Sequence, residues 1–314
     1  MLNRRLIRIK VFKVLYSSIS SGSNSIAEAE KNLHYSCEKT LHLYYFMLNA
    51  AVALKQVADA KIEIGMKKFN PTESEKNPNR KFSENKLATY LVENSHFTKY
   101  CESHSLMWNG ELALFIKKLY ATISEKEYFQ EYMANPERSL KEDCALFTRI
   151  FEEEFEDNED LESFLEDISI HWIDDLGYVL NTILKSIEMF QRTSKIPFPD
   201  IFLKDDDKEY AFALLRATML NHTKYNELIK ENIVNWDPDR VITTDLILIE
   251  EGIAEAVNFP NIPVKVTINE YVEISKFYST MNSKVFVNGL LDRIIQKGLK
   301  SGEIVKTGRG LIEN

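Results

Sequence analysis

Thr267-Ile268-Asn269-Glu270 and, farther on, Phe286-Val287-Asn288-Gly289-Leu290-Leu291-Asp292-Arg293-Ile294-Ile295-Gln296-Lys297-Gly298 decide the fold class. In the second stretch Phe286 pairs with Leu290, and Val287 with Leu291 and Ile294. That spacing marks one face of an α-helix and not the alternation of a strand. Gly298 reads as the stop. The first stretch has the form of a capping box, in which a threonine hydroxyl and a glutamate carboxylate satisfy free amides at a helix start. Toward the N-terminus, 258–263 (Asn258-Phe259-Pro260-Asn261-Ile262-Pro263) reads as a loop, and Ile242, Leu246, Ile249 and Ile253 repeat at helical steps before it. Trp236-Asp237-Pro238 reads as a helix stop followed by an Asp cap with Pro at the first helical position. Asp206 and Asp207 can cap a helix carrying Tyr210, Leu214, Leu215 and Met219. Ile173, Leu176, Leu180, Ile183, Leu184 and Ile187 keep the same steps of three and four. No convincing strand alternation appears, so the expectation is all-α.

Composition agrees. The 314 residues include only 10 Gly and 8 Pro, which favours long helices over many tight turns. At 44% hydrophobic and 11% aromatic, the chain can fill a sizeable core, which excludes wholesale disorder. Length suggests two domains. The longest mainly apolar run, Leu41 to Leu54, carries His42 and Asn49 and falls short of the ~20 residues of a membrane span. The basic N-terminus lacks the apolar run of a secretory signal. Cys37, Cys101 and Cys144 are odd in number and widely spaced, which points to a reduced, cytoplasmic protein.

Polar breaks divide the chain into blocks. Ser17 to Ser25 separates a basic first helix from an apolar stretch running from Leu41 into Ile64. Residues 70–85, with Pro71 and Pro78, and residues 191–207, with Pro197 and Pro199, read as linkers. Tyr44-x-Phe46-x-Leu48 and Tyr210-x-Phe212-x-Leu214 open stretches of similar length, either as a duplicated unit or as two amphipathic helices that look alike.

The net charge of −9 hides a strong segregation. Ten acidic residues and no basic one lie between Phe151 and Asp167, and without that segment the remainder carries +1. Residues 1–27 hold Arg4, Arg5, Arg8, Lys10 and Lys13 with no acid, and residues 276–309 hold seven basic residues against two acids. A polyanion could bind at the ends while the middle repels it, or the basic residues could be solvated helix faces.

Enzyme readings fare badly. No Walker, Rossmann, nucleophile-elbow or H-E-x-x-H pattern is present. His96-x4-Cys101-x2-His104 matches no standard zinc spacing, so no metal and no cofactor is expected. Asp205-Asp206-Asp207 lacks the glycine and distal glutamate of a calcium loop. The acidic run contains Phe151, Phe155, Leu161, Phe164 and Leu165, and is either a solvated helix face or a docking surface. The basic first helix is the better candidate. Arg4, Arg5 and Arg8 fall in one ~100° sector, apart from a seam of Ile7, Val11 and Val14. Asn282, Ser283, Lys284 and Phe286 bring amide, hydroxyl, ammonium and ring together, the mixture that single-stranded RNA requires. Phe286 taken alone is more often a core residue.

Val266-Thr267-Ile268-Asn269-Glu270-Tyr271-Val272-Glu273-Ile274-Ser275-Lys276, followed by Phe286-Val287-Asn288-Gly289-Leu290-Leu291-Asp292, closely resembles the C-terminal signature of the NusB family. Arg4-Arg5-x-x-Arg8 leading to Leu15-Tyr16 resembles the family's arginine-rich first helix. The resemblance covers residues 1 to about 17 and about 205 to 297. It implies a NusB-like helical bundle: first helix at 1–20, an inserted helical lobe at 21–204, the C-terminal helical domain at 205–300 and a flexible basic tail at 301–314. It also implies a non-enzymatic, cytoplasmic antitermination factor that recognises boxA-type single-stranded RNA with NusE, a small-subunit ribosomal protein, and joins the elongating RNA polymerase during ribosomal RNA synthesis. Carried over by position, Arg4, Arg5, Arg8, Asn282, Ser283, Lys284 and Phe286 would contact RNA, and Tyr16, Asp245 and Glu255 would lie at the partner surface. Asn269 would bond locally within its helix, and Gly289 would permit close helix packing. Glu250 and Ala254 depart from the basic and aromatic residues common in the family. The third family helix falls at 210–235 or at 44–69. Two other readings stand beside this one. In the first, the acidic insertion docks a basic partner during ribosome biogenesis. In the second, the chain is an RNA-modifying enzyme, against which stands the lack of a cofactor-binding glycine motif before Asn314.

Overall fold

A computed structural model describes residues 1–233 and 242–311. Trp236, Asp237 and Pro238, expected to form a stop and cap, lie outside the described residues. These contain no strand, only one isolated parallel bridge between Leu2 and Phe202. The helices are α1 (Arg4–Ser21), α2 (Ile26–Leu48), α3 (Ala50–Met66), α4 (Glu73–Lys76), α5 (Lys86–Glu93), α6 (Ser95–Ser103), α7 (Glu111–Glu125), α8 (Glu127–Ala134), α9 (Leu140–Glu154), α10 (Glu159–Ile168), α11 (Leu176–Thr193), α12 (Asp205–Leu220), α13 (His222–Asn232), α14 (Thr243–Asn258), α15 (Val264–Tyr278) and α16 (Ser283–Ser301). The fold is all-α. No helix among the described residues is long and apolar enough to cross a membrane.

The chain divides into two compact units, one of Met1 with Glu38–Ile201 and one of Leu2–Cys37 with Phe202–Asn314. The first boundary falls inside α2. The unit of 38–201 is packed around aromatic rings: Phe46 stacks on Trp108 with centroids 4.3 Å apart, and Phe82 and Phe147 are buried with Phe151 and Phe155. Its indole nitrogens are satisfied by helix carbonyls, Trp108 Nε1 on Phe46 at 2.9 Å and Trp172 Nε1 on Lys39 at 2.8 Å. Residues 70–85 are not a free linker. Thr72 and Glu75 form a capping box on α4, and Lys81, Phe82, Ser83 and Asn85 are buried. The acidic run resolves into opposite faces, with Phe151, Phe155, Leu161 and Leu165 in the core and most carboxylates in solvent. Cys37, Cys101 and Cys144 are all buried and unbridged, and burial pushes the Cys101 and Cys144 thiols up to about 12.

The other unit is organised by α14, on which every residue from Ile247 to Ala256 is buried. A helix covered on all sides is the centre of its bundle. Packed on it are α1, α12, α13, α15 and α16. Several local expectations shift. The Ser-rich stretch stays helical to Ser21, and Gly22 in the left-handed region (φ 70°) ends α1. Residues 210–233 are two helices, broken at Asn221. Helix α16 continues past Gly298 to end at Gly302. Gly298 is an interior contact: a Cβ there would come within 2.7 Å of Ile304. The expected flexible tail packs as far as it is described. Ile304 is buried, and Lys306 Nζ donates to the Ala256 and Phe259 carbonyls at the end of α14.

Candidate nucleic-acid interface

The N-terminus of α1 breaks a local rule. Asn3 caps it through its side chain, on the Leu6 amide at 2.9 Å, but Arg4 and Arg5 then place two cations where the helix dipole is positive. The unfavourable placement, about 0.3–1 kcal/mol per charge, is offset by acids from distant helices. Arg4 Nε lies 3.1 Å from Asp207 Oδ1 in the first turn of α12. Arg5 holds Glu270 of α15 through two bonds of 2.8 Å. That hydrogen bonding raises the arginine's pKa and lowers the carboxylate's. Both guanidiniums keep an open side: the Arg4 side chain is 43% exposed and that of Arg5 53%.

Arg8 is different. It is buried, with Nε and Nη2 on the two oxygens of Glu255 at 2.6 and 3.0 Å. Burial opposes its charge, but the Glu255 carboxylate more than offsets this and the pKa rises. Glu255 also accepts from Tyr210 Oη and from Thr267 Oγ1, the latter at 2.7 Å. Arg8 therefore works as an internal tie between α1 and α14, and direct RNA contact by Arg8 is corrected on that ground. The same holds for Glu255, which is fully buried and has no surface for a partner. The Thr267–Glu270 capping box is corrected too. Helix α15 starts earlier, at Val264 after Pro263, and both side chains are used in tertiary contacts.

At the start of α16, Ser283 is buried and donates to Asp245 Oδ2 at 2.8 Å, while Ser279 donates to the other oxygen. Burial raises the Asp245 pKa despite these bonds. Asp245 and Ser283 thus join α14 to α16. Phe286 is core, 5% exposed, and offers no ring to a base. Asn282, Lys284 and Tyr16 remain on the surface. Gly289 is exposed with nothing within 4 Å of an added Cβ, so its expected close packing is absent; Gly252, beneath Leu291 and Tyr271, is the packed glycine. Asn269 is exposed on α15. Of His96, Cys101 and His104, read in the sequence as no standard metal site, His96 bonds Tyr45 Oη at 3.1 Å, Cys101 is buried and His104 is exposed.

Arg4, Arg5, Lys265 and Arg309 line one open cleft of about 690 Å³ with Asn3, Asn261, Pro263, Val266, Asn269 and Glu270. Arg8 and Ile262 form its floor. Guanidiniums and an ammonium around a walled groove suit phosphate, and the amides can meet base edges.

Residues 187–296 match the family model described as the NusB family. The chain carries a NusB-family domain. Over 105 residues it is 36% identical to a transcription antitermination protein NusB of Salinibacter ruber, covering 33% of this chain and 66% of that protein. It is 35% identical over 106 residues to the protein of that name from Chloroherpeton thalassium (34% and 50%), and 38% over 92 residues to that from Thermodesulfovibrio yellowstonii (29% and 61%). The match therefore spans about half to two thirds of these relatives' lengths. No solved structure gives a significant match. The NusB-family match includes 210–235 and excludes 44–69. Glu250 and Ala254, read in the sequence as departures from the resemblance, are both buried. Glu250 accepts from His222 Nδ1 at 2.6 Å and Asn226 Nδ2 at 2.9 Å.

Two features of the NusB-family domain escaped sequence reasoning. Lys265 carries no motif and becomes a cleft residue through its place in the first turn of α15, after the turn at 259–262. Phe277 and Met281 are 82% and 92% exposed. The signal for Phe277 was its position off the buried stripe of Ile268, Tyr271 and Ile274, where a large apolar residue has no core to enter.

Proposed function

We propose that this chain is a non-catalytic, cytoplasmic antitermination factor that binds boxA-type single-stranded RNA together with a NusE-like ribosomal protein on the elongating polymerase. The observation that carries the reading is the cleft lined by Arg4, Arg5, Lys265 and Arg309 within a domain whose relatives are named transcription antitermination proteins. Arg4 and Arg5 stand held by carboxylates on one side and open on the other, which orients them while using only part of their donors. Asn282 and Lys284 supply a second exposed polar cluster, and Tyr16 an exposed ring suited to a protein partner. Affinity is electrostatic in large part and falls with salt, with base preference added by amides and rings.

The test is binding to a boxA-like and a scrambled RNA at two salt concentrations, with and without the NusE-like protein. Tighter, sequence-dependent binding with the partner present is expected. The Arg4→Ala/Arg5→Ala double variant should weaken it and flatten the salt dependence by about 0.7 for each phosphate no longer neutralised. Equal weak binding to both RNAs, indifferent to the partner, would sink the proposal.

A further inference from the structure

Outside the cleft, the unit of 38–201 brings together three side chains that no motif connects. Glu38 and His42 lie one turn apart on α2 and so share a face. His104 arrives from the end of α6, its ring centroid 4.6 Å from that of His42. One donor atom from each of the three lies within 4.8 Å of the others. We propose that Glu38, His42 and His104 form a binding site for a borderline divalent cation of the Zn²⁺ class.

Three observations carry this. First, His42 Nε2 is buried without a hydrogen-bond partner among the described residues and lies 4.0 Å from Glu38 Oε1, too far to bond. A buried imidazole nitrogen left unbonded is costly, and a metal at that point would satisfy it. Second, His104 is already oriented as a ligand. Its Nδ1 lies 2.9 Å from the Tyr100 carbonyl, with Ser103 Oγ at 3.0 Å, which holds the proton on that nitrogen and leaves Nε2 as the ring's lone-pair donor. Metal-bound histidines are characteristically oriented by such a bond. Third, two imidazoles and one carboxylate suit Zn²⁺-class ions better than Mg²⁺ or Ca²⁺, and three protein ligands leave a position for water. Tetrahedral ligand atoms on such an ion stand about 3.3–3.6 Å apart for bonds of about 2.0–2.2 Å. The trio must therefore close by about 1 Å. His42 is fixed in the core edge, but Glu38 is only partly covered and His104 is exposed, so the movement falls on the two free to make it. The bound ion would tie α6 to α2.

The test uses the full chain, stripped with a chelator and dialysed, titrated with Zn²⁺ against a chromophoric competitor and with Co²⁺ for its visible spectrum. One equivalent bound, a tetrahedral Co²⁺ band and a Zn²⁺-dependent rise in Tm are expected. His104→Ala and Glu38→Gln, both at solvent-accessible positions, should each lower affinity at least tenfold and abolish the Tm rise. No stoichiometric binding by the parent chain would overturn the proposal. So would binding unchanged in both variants, which would assign the ion to other imidazoles such as His34, His171 or His222.

Discussion

Arg8 and Glu255 form a buried, two-pronged ion pair that also gathers the Tyr210 and Thr267 hydroxyls. Removing one member strands the other charge in the core, at about 3–5 kcal/mol. Arg8→Ala should therefore show that loss in denaturant unfolding, whereas Arg4→Ala, half in solvent, should lose about 1 kcal/mol or less. Arg8→Lys should fare little better than Arg8→Ala, because an ammonium cannot span both oxygens. Glu251, one turn before Glu255, is the opposite case. It is fully buried, and neither carboxylate oxygen is in hydrogen-bond geometry, even with the neighbouring Tyr271 hydroxyl. Burial first, and then the Glu255 charge, push its pKa well above the carboxylate range. The folded state thus keeps a proton that the unfolded chain releases near pH 4.3, so this group's contribution to stability falls as pH rises from there toward the folded pKa. Glu251→Gln should remove that slope and gain on the parent steadily with rising pH in unfolding titrations. Glu270, whose pKa is lowered by Arg5, acts the other way, contributing above its unfolded pKa and losing the contribution on acidification.

At the scale of elements, glycine context separates packing from propensity. Gly289 is exposed inside α16, so Gly289→Ala should stabilise by about 0.5–1 kcal/mol. At Gly310 a Cβ would sit 1.9 Å from the Pro260 carbonyl oxygen. Gly310→Ala should displace the last turn from the 260–261 loop, readable as reduced amide protection at Thr307, whose N–H bonds Pro260 O at 3.0 Å. Helix existence was legible from the chain because burial on one face imprints a local period, as in α11 and α16. The candidate site was legible in part. Arg4, Arg5, Asn282 and Lys284 are exposed as read, but Arg8 shares their sector on the helix and differs only through a partner 247 residues away. Ser283 and Phe286 were likewise claimed by the interior. The capping-box pattern failed for the same reason: Glu255 and Arg5 compete for its two side chains, and local pattern carries no record of tertiary partners. The trio of Glu38, His42 and His104 was invisible because 62 residues separate its two histidines.

Over the whole molecule, charge is partitioned between the units. The unit of 38–201 holds 19 basic and 29 acidic residues, while the NusB-type unit holds 20 and 19. The unit without the basic cleft carries −10, and the other +1, so the whole net negative charge belongs to the former. Neutralising exposed acids of the 151–167 run, for example Glu156→Gln, Glu159→Gln and Glu162→Gln together, should speed RNA association at 0.01 M salt, where the screening length is about 30 Å. The effect should vanish near 1 M, where it is about 3 Å. An unchanged rate at low salt would mean that the acidic face exerts no field on the approaching strand. The three buried thiols carry a practical consequence. Sulfur nucleophiles react as thiolates; all three thiols are shut off from solvent, and burial also suppresses ionisation of Cys101 and Cys144. The chain thus already behaves as a cysteine-free background for maleimide chemistry. A single Lys284→Cys or Asn282→Cys exchange would place one reporter dye beside the polar cluster at the start of α16, without first editing Cys37, Cys101 or Cys144 out of the core.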